Sequence, residues 1–182
     1  GYTVTYTQDD VEVGSSGTSV DIDSYSFATY ATFHKYGNRH LEGTLGLSKL
    51  DLKNKRKSGS NTLTGDRVGK QIFGSIQYLS TFEKNKIDIS PNIKVDLSYT
   101  TLTAYSETGT SPIKYDEQRV ETVGLYGGFT FNNEILKSNY ILRPSAGFEL
   151  GLDLSPDSDV SLNYVSDPNT KYTKSIDQQD EK

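Results

Sequence analysis

The stretch Leu142-Arg143-Pro144-Ser145-Ala146-Gly147-Phe148-Glu149-Leu150-Gly151-Leu152-Asp153-Leu154 sets the fold class. Leu142, Ala146, Phe148, Leu150, Leu152 and Leu154 alternate with Arg143, Ser145, Gly147, Glu149, Gly151 and Asp153. A period of two marks a β-strand, because successive side chains leave opposite faces of the backbone. The polar partners here are small or charged, so one face is greasy and the other is wet.

The same alternation recurs upstream. Tyr2, Val4 and Tyr6 are separated by threonines; Tyr25, Phe27, Ala31 and Phe33 by Ser26, Ala28 and Thr32. Leu41, Gly43, Leu45 and Leu47 oppose His40, Glu42, Thr44 and Gly46, and Val68, Ile72, Gly74, Ile76 and Tyr78 oppose Gln71, Ser75 and Gln77. Ile93, Val95, Leu97 and Tyr99 alternate with Lys94, Asp96, Ser98 and Thr100, and Val123, Leu125, Phe129 and Phe131 with Thr122, Gly124, Gly128 and Thr130. The pattern predicts seven strands and no helix, with an eighth strand at Val160 to Val165 or near Tyr172.

The connections predicted between these strands run long, short, long, short, long, short. They are Gln8 to Thr18, His34 to Gly37, Asp51 to Gly65, Phe82 to Lys86, Ser106 to Arg119 and Asn132 to Ser138. A soluble sandwich has no reason to sort its loops by side. An outer-membrane barrel does, with short periplasmic turns and long extracellular loops. Ser90 to Leu97 and Arg143 to Leu150 also resemble one another in proline placement and alternation, as a weak internal repeat; prolines suit the start of a strand, where the ladder tolerates a missing N–H.

Composition narrows the classes further. The chain has 182 residues, 33% of them hydrophobic, and a net charge of −5. That length suits a single domain. Mean hydropathy is −0.61, but 13 Tyr and 7 Phe are far too many aromatics for a disordered chain. No apolar run is long enough for a transmembrane helix, which leaves a transmembrane barrel allowed. With no Cys and only His34 and His40, the sequence offers no disulfide, no thiolate metal site and no cofactor site. The acidic balance and the isolated basic run Lys53 to Lys57 predict no nucleic-acid partner. The chain lacks an initiator Met and a signal-like start, so it reads as a mature product or an excised piece.

Motif searches add no chemistry. Gly65-Asp66-Arg67-Val68-Gly69-Lys70 is one residue short of a phosphate loop and is followed by Gln71 rather than Ser or Thr. The carboxylate pairs Asp9/Asp10, Asp21/Asp23 and Asp157/Asp159 read as solvated loop charge, lacking the Gly and distal Glu of an EF-hand. No G-x-S-x-G elbow accompanies the histidines. The prediction is a protein that is not an enzyme.

In the barrel reading the apolar set faces lipid and the polar set a wet lumen. Glu42, Lys94, Asp96, Arg143 and Glu149 are then candidate lumen-facing charges. Tyr2, Tyr6, Phe33, Tyr78, Tyr99, Phe131 and Tyr140 are candidates for aromatic girdles at the headgroup layers, with Tyr36 beside them at a turn. Two readings compete on the same alternation: a small eight-stranded structural or adhesive outer-membrane barrel, and a soluble secreted β-sandwich that binds carbohydrate or protein through its loops.

With the elements placed, their order resembles the barrel domain of autotransporters. The resemblance is carried by Ser24 to Tyr30, Leu41-Glu42-Gly43-Thr44-Leu45-Gly46, Gly74-Ser75-Ile76-Gln77-Tyr78, Ile89-Ser90-Pro91 leading to Leu97-Ser98-Tyr99, Val120 to Leu125, and Leu142 to Gly147. It implies an antiparallel up-and-down transmembrane β-barrel in the outer membrane of a Gram-negative bacterium. Seven or eight of twelve strands are present over residues 1–182, which reads as a domain incomplete at both ends. The implied partners are outer-membrane lipid, the barrel-assembly machinery and the chain's own upstream passenger, which such a barrel anchors and exports. The polar end Asp177-Gln178-Gln179-Asp180-Glu181-Lys182 departs from the terminal aromatic strand of that family.

Overall fold

The computed structural model describes residues 1–14, 17–35 and 37–177, so Tyr36 and the end of the polar tail lie outside the described residues. Every regular element in it is a strand: β1 (Tyr2–Val13), β2 (Thr18–Lys35), β3 (Arg39–Ser58), β4 (Asn61–Ser80), β5 (Phe82–Lys84), β6 (Ile87–Leu102), β7 (Tyr105–Ser106), β8 (Ile113–Tyr115), β9 (Gln118–Asn133), β10 (Ile135–Lys137), β11 (Tyr140–Leu142), β12 (Ser145–Asp153), β13 (Ser158–Tyr164) and β14 (Asp167–Ile176). The main sheet is antiparallel, in the order β1-β2-β3-β4-β6-β9-β12, with β5 paired to the foot of β6. These seven neighbours are the seven strands that the alternation predicts. Among the described residues, β1 and β12 are the ends of a sheet that does not close.

Two predicted long loops are corrected. Gln8 to Thr18 is strand up to Val13, and Asp51 to Gly65 is strand up to Ser58 and again from Asn61. Val13 pairs with Thr18 and Ser58 with Asn61, and between the latter pair only a tight turn remains. Gly59 makes that turn at φ 59°, a left-handed conformation that suits a residue without a Cβ. Asp9, Asp10, Asp21 and Asp23, expected in or beside a loop, therefore stand on β1 and β2. The loop reading failed because the alternation does not stop; it changes phase. On β3 the face that carries Leu41, Leu45 and Leu47 continues with Lys49, Asp51, Lys53 and Lys55, while the other face gains Leu50 and Leu52. A rule that follows one apolar face sees the strand end there.

Neither candidate for the eighth strand joins the main sheet. They are β13 and β14, which form a second sheet in the order β14-β13-β8-β7. Hydrogen bonds from Leu154 N to Val123 O (2.8 Å) and from Asp116 N to Ser161 O (2.9 Å) show how β13 prolongs the line of β12 beyond the main sheet. Β7 lies along the upper edge of β4, where Thr64 and Thr108 exchange backbone hydrogen bonds at 2.8 and 3.2 Å. At Thr64 the free N–H and C=O groups of that tall edge are thus paired. Pro91 falls where β6 changes neighbour, between Ile89 against Phe82 and Asn92 against Leu79, so its missing N–H leaves that ladder intact.

Candidate functional site

Antiparallel register lines up side chains in rows across the sheet. One row is Phe33, Leu41, Tyr78, Ile93; the next is Ala31, Gly43, Ile76, Val95, Leu125, Leu152. Above them run Tyr2, Thr29, Leu45, Gly74, Leu97, Val123, and then Val4, Phe27, Leu47, Ile72, Tyr99. The rows form a belt several residues tall, and its members are open to the surroundings: Leu45 is 60% exposed, Ile76 62% and Leu150 63%. Among the described residues the buried hydrophobic ones are Ala28 and Leu63 alone. A sheet with so small a core is not a soluble sandwich, whose inner faces bury one apolar set.

The belt ends at the row Tyr6, Tyr25, Lys49, Lys70, Thr101. There the Tyr6 and Tyr25 rings lie 5.0 Å apart, and the Tyr6 hydroxyl donates to Asp23 Oδ1 at 2.8 Å, one row higher. A ring in the apolar layer with its hydroxyl in the polar one is the arrangement expected at a membrane interface. Tyr2, Phe33, Tyr78, Tyr99 and Phe131 share the apolar face by register, while Tyr140 stands on the small β10–β11 hairpin at the short-turn end.

Glu42, Lys94, Asp96 and Glu149 all lie on the opposite, polar face. Lys94 Nζ is 3.0 Å from Asp96 Oδ2 and 4.3 Å from the centre of the Tyr126 ring, which itself covers the position where Gly151 lacks a side chain. Gln71 donates to Thr100 Oγ1 at 3.0 Å, and the hydroxyls of Ser26 and Ser48 are 2.7 Å apart. The face is thus a hydrogen-bonded polar surface with paired charge. Arg143 does not join this set. It lies between β11 and β12, off any strand, with its Nε 2.7 Å from Glu134 Oε2, because Pro144 delays the start of β12 to Ser145.

A second polar cluster lies above the belt, where residues 103–118 fold against the polar face of β3 and β4. Glu107, with its side chain 3% exposed, takes Arg56 in a bidentate pair (Nε to Oε1 and Nη2 to Oε2, both 2.7 Å) and accepts Ile113 N at 3.0 Å. That bond raises the Arg56 pKa, and desolvation opposes it. Arg67 donates to Thr103 O, Asp116 O and Gln118 Oε1 at 2.8, 3.1 and 3.2 Å, and burial lowers its pKa. The Tyr105 and Tyr115 rings stack 4.8 Å apart, with Arg67 5.5 Å from the Tyr105 centroid. Burial, chiefly, raises both phenol pKa values. Gly65 makes room for the stack, since a Cβ there would stand 2.8 Å from the Tyr105 ring. The sequence does not mark these residues as a cluster, since Arg56 and Glu107 fall in two different predicted loops. The phosphate-loop-like stretch Gly65 to Lys70 is simply strand β4.

A tall antiparallel sheet with an exposed apolar belt, a polar reverse face and hairpins that rise past the belt on one side is the wall of a transmembrane β-barrel. The profile of the autotransporter β-domain family matches residues 1–182, and the chain belongs to that family, outer-membrane translocator barrels of Gram-negative bacteria. In fold it is similar to the translocator domain of autotransporter NalP from Neisseria meningitidis, with a TM-score of 0.69 at 14% identity, over 98% of this chain and 69% of that one. It is also similar to the ferric citrate transporter FecA, with a TM-score of 0.51 at 10% identity, over 87% of this chain and 24% of that one. No curated protein sequence matches the chain.

Proposed function

We propose that this domain works by shape rather than by catalysis: the apolar belt anchors it in outer-membrane lipid, and the polar face lines a wet path along which its own passenger, in extended form, is exported. The observation that carries this reading is the separation of the faces, with Leu45, Ile76 and Leu150 open on one side and Lys94 and Asp96 paired on the other. Glu42, Lys94, Asp96 and Glu149 are the lumen-facing charges, and small polar neighbours leave the path hydrated. Tyr6, Phe33, Tyr78, Tyr99, Phe131 and Tyr140 form the girdles, whereas Tyr2 shares the row of Leu45 in the middle of the belt. Strands that would present unpaired edges to hydrocarbon need assisted closure, which is the part of the barrel-assembly machinery.

The chain has no cysteine, so single cysteines report each face directly. In the full-length protein assembled in vesicles, a water-soluble maleimide is expected to label Ser98→Cys and to spare its neighbour Leu97→Cys. Equal labelling of both, or the reverse order, overturns the reading.

A further inference from the structure

Lys49 and Lys70 stand directly opposite each other in the β3–β4 register, on the apolar face, in the row that ends the belt on the side of the long hairpins. Like charges so placed repel. Asp51 Oδ2, 2.8 Å from Lys49 Nζ, balances one of them; Lys70 has no ion pair among the described residues. One net positive charge therefore remains, at the head of a groove of about 580 Å³ that descends between Val4, Phe27 and Leu47. The Tyr25 ring flanks the same head. Lys53, two residues along the same face, lies 4.0 Å from Asp23 and is spoken for.

A cation over an apolar groove, at the level where a tyrosine girdle marks the interface, matches one chemistry: a phosphate on a lipid whose acyl chain fills the groove. From this we infer that Lys49 and Lys70 form a binding site for the phosphorylated headgroup of an outer-leaflet lipid, seated against the barrel wall. The inference rests on the apolar face being the lipid face. It goes further in assigning a specific headgroup chemistry to two residues, whereas a generic belt requires none. Lysines that merely snorkel to the interface respond to any hydrated surface; a phosphate site responds to phosphate.

The test uses the full-length protein folded into phosphatidylcholine vesicles with increasing fractions of a bisphosphorylated glycolipid or of its dephosphorylated form, with the midpoint of heat-modifiable gel mobility as readout. The midpoint of the unsubstituted protein is expected to rise with the phosphorylated lipid only. At about fivefold in affinity per lysine near the surface, K49Q/K70Q is expected to need roughly thirtyfold more lipid for the same rise. Lys84→Gln, at the opposite end of the wall on β5, is expected to keep the full response. Should the double variant fold poorly, K70Q alone leaves the Lys49–Asp51 pair in place and is read the same way. An unchanged response in K70Q or K49Q/K70Q, or the same rise from inorganic phosphate without the lipid, overturns the inference. Insertion into both kinds of vesicle with no phosphate-dependent rise removes the lipid site while leaving the lipid-facing belt standing; failure to insert into either removes both.

Discussion

Glu107 is almost fully enclosed, and its carboxylate holds Arg56 by two bonds and the Ile113 amide by a third. An enclosed charge that loses its partner leaves the other uncompensated. Glu107→Gln keeps the shape and removes the charge, and is expected to weaken the folded 103–118 segment by about 1.5–3 kcal/mol, the range for hydrogen bonds to charged groups. Hydrogen exchange reads this directly: the amides of β7 and β8 should exchange faster while those of the belt strands stay as they were. Unchanged exchange at Glu107 and Ile113 would show that the pair contributes nothing to that segment. Nothing local hints at this contact, because Arg56 and Glu107 are 51 residues apart and each looks like ordinary loop charge.

At the scale of a strand, face matters more than residue type. On β3, Thr44 and Leu45 are neighbours in sequence but lie on opposite faces, in rows with Ser75 and Gly74 respectively. An arginine facing lipid near the middle of a barrel costs about 2–4 kcal/mol, whereas one facing a hydrated lumen is accommodated by water. Leu45→Arg is therefore expected to lower the urea midpoint of the vesicle-inserted barrel well below that of Thr44→Arg. Equal effects of the two would show that the faces do not differ in environment. This separation was legible in the alternation of Leu41, Leu45 and Leu47 against Glu42, Thr44 and Gly46. What the alternation did not show was how far the strands run, since Val11, Val13, Val20 and Ile22 carry the apolar pattern on to the other face. The signal was present as a period of two in shifted phase.

Across the whole molecule, two sheets meet above the belt, and the junction is built from Arg67, Tyr105, Tyr115 and the Lys171–Asp116 ion pair at 2.6 Å. Burial raises the phenol pKa values of Tyr105 and Tyr115, so the folded junction favours their neutral forms. A folded pKa above the unfolded value of about 10 leaves stability whole below that pH and removes it as pH climbs toward the folded value. The junction is thus expected to hold through neutral pH and to loosen only above about pH 10. A phenolate absorbance titration should show a late phase that disappears in Tyr105→Phe/Tyr115→Phe. A single phase in the unsubstituted protein would sink the claim. The same partition into a barrel wall and an upper sheet explains why the eighth strand was misplaced: β13 and β14 have strand periodicity, and nothing local distinguishes a strand of the wall from one of the sheet above it.

The sequence by itself determined the seven wall strands and their two chemically distinct faces, because side-chain alternation is a property of a few consecutive residues. Only the tertiary structure decided where the strands end, which charges meet and that Lys49 stands opposite Lys70. Those depend on register between segments far apart in the chain, and a register is set by backbone pairing that no single segment contains.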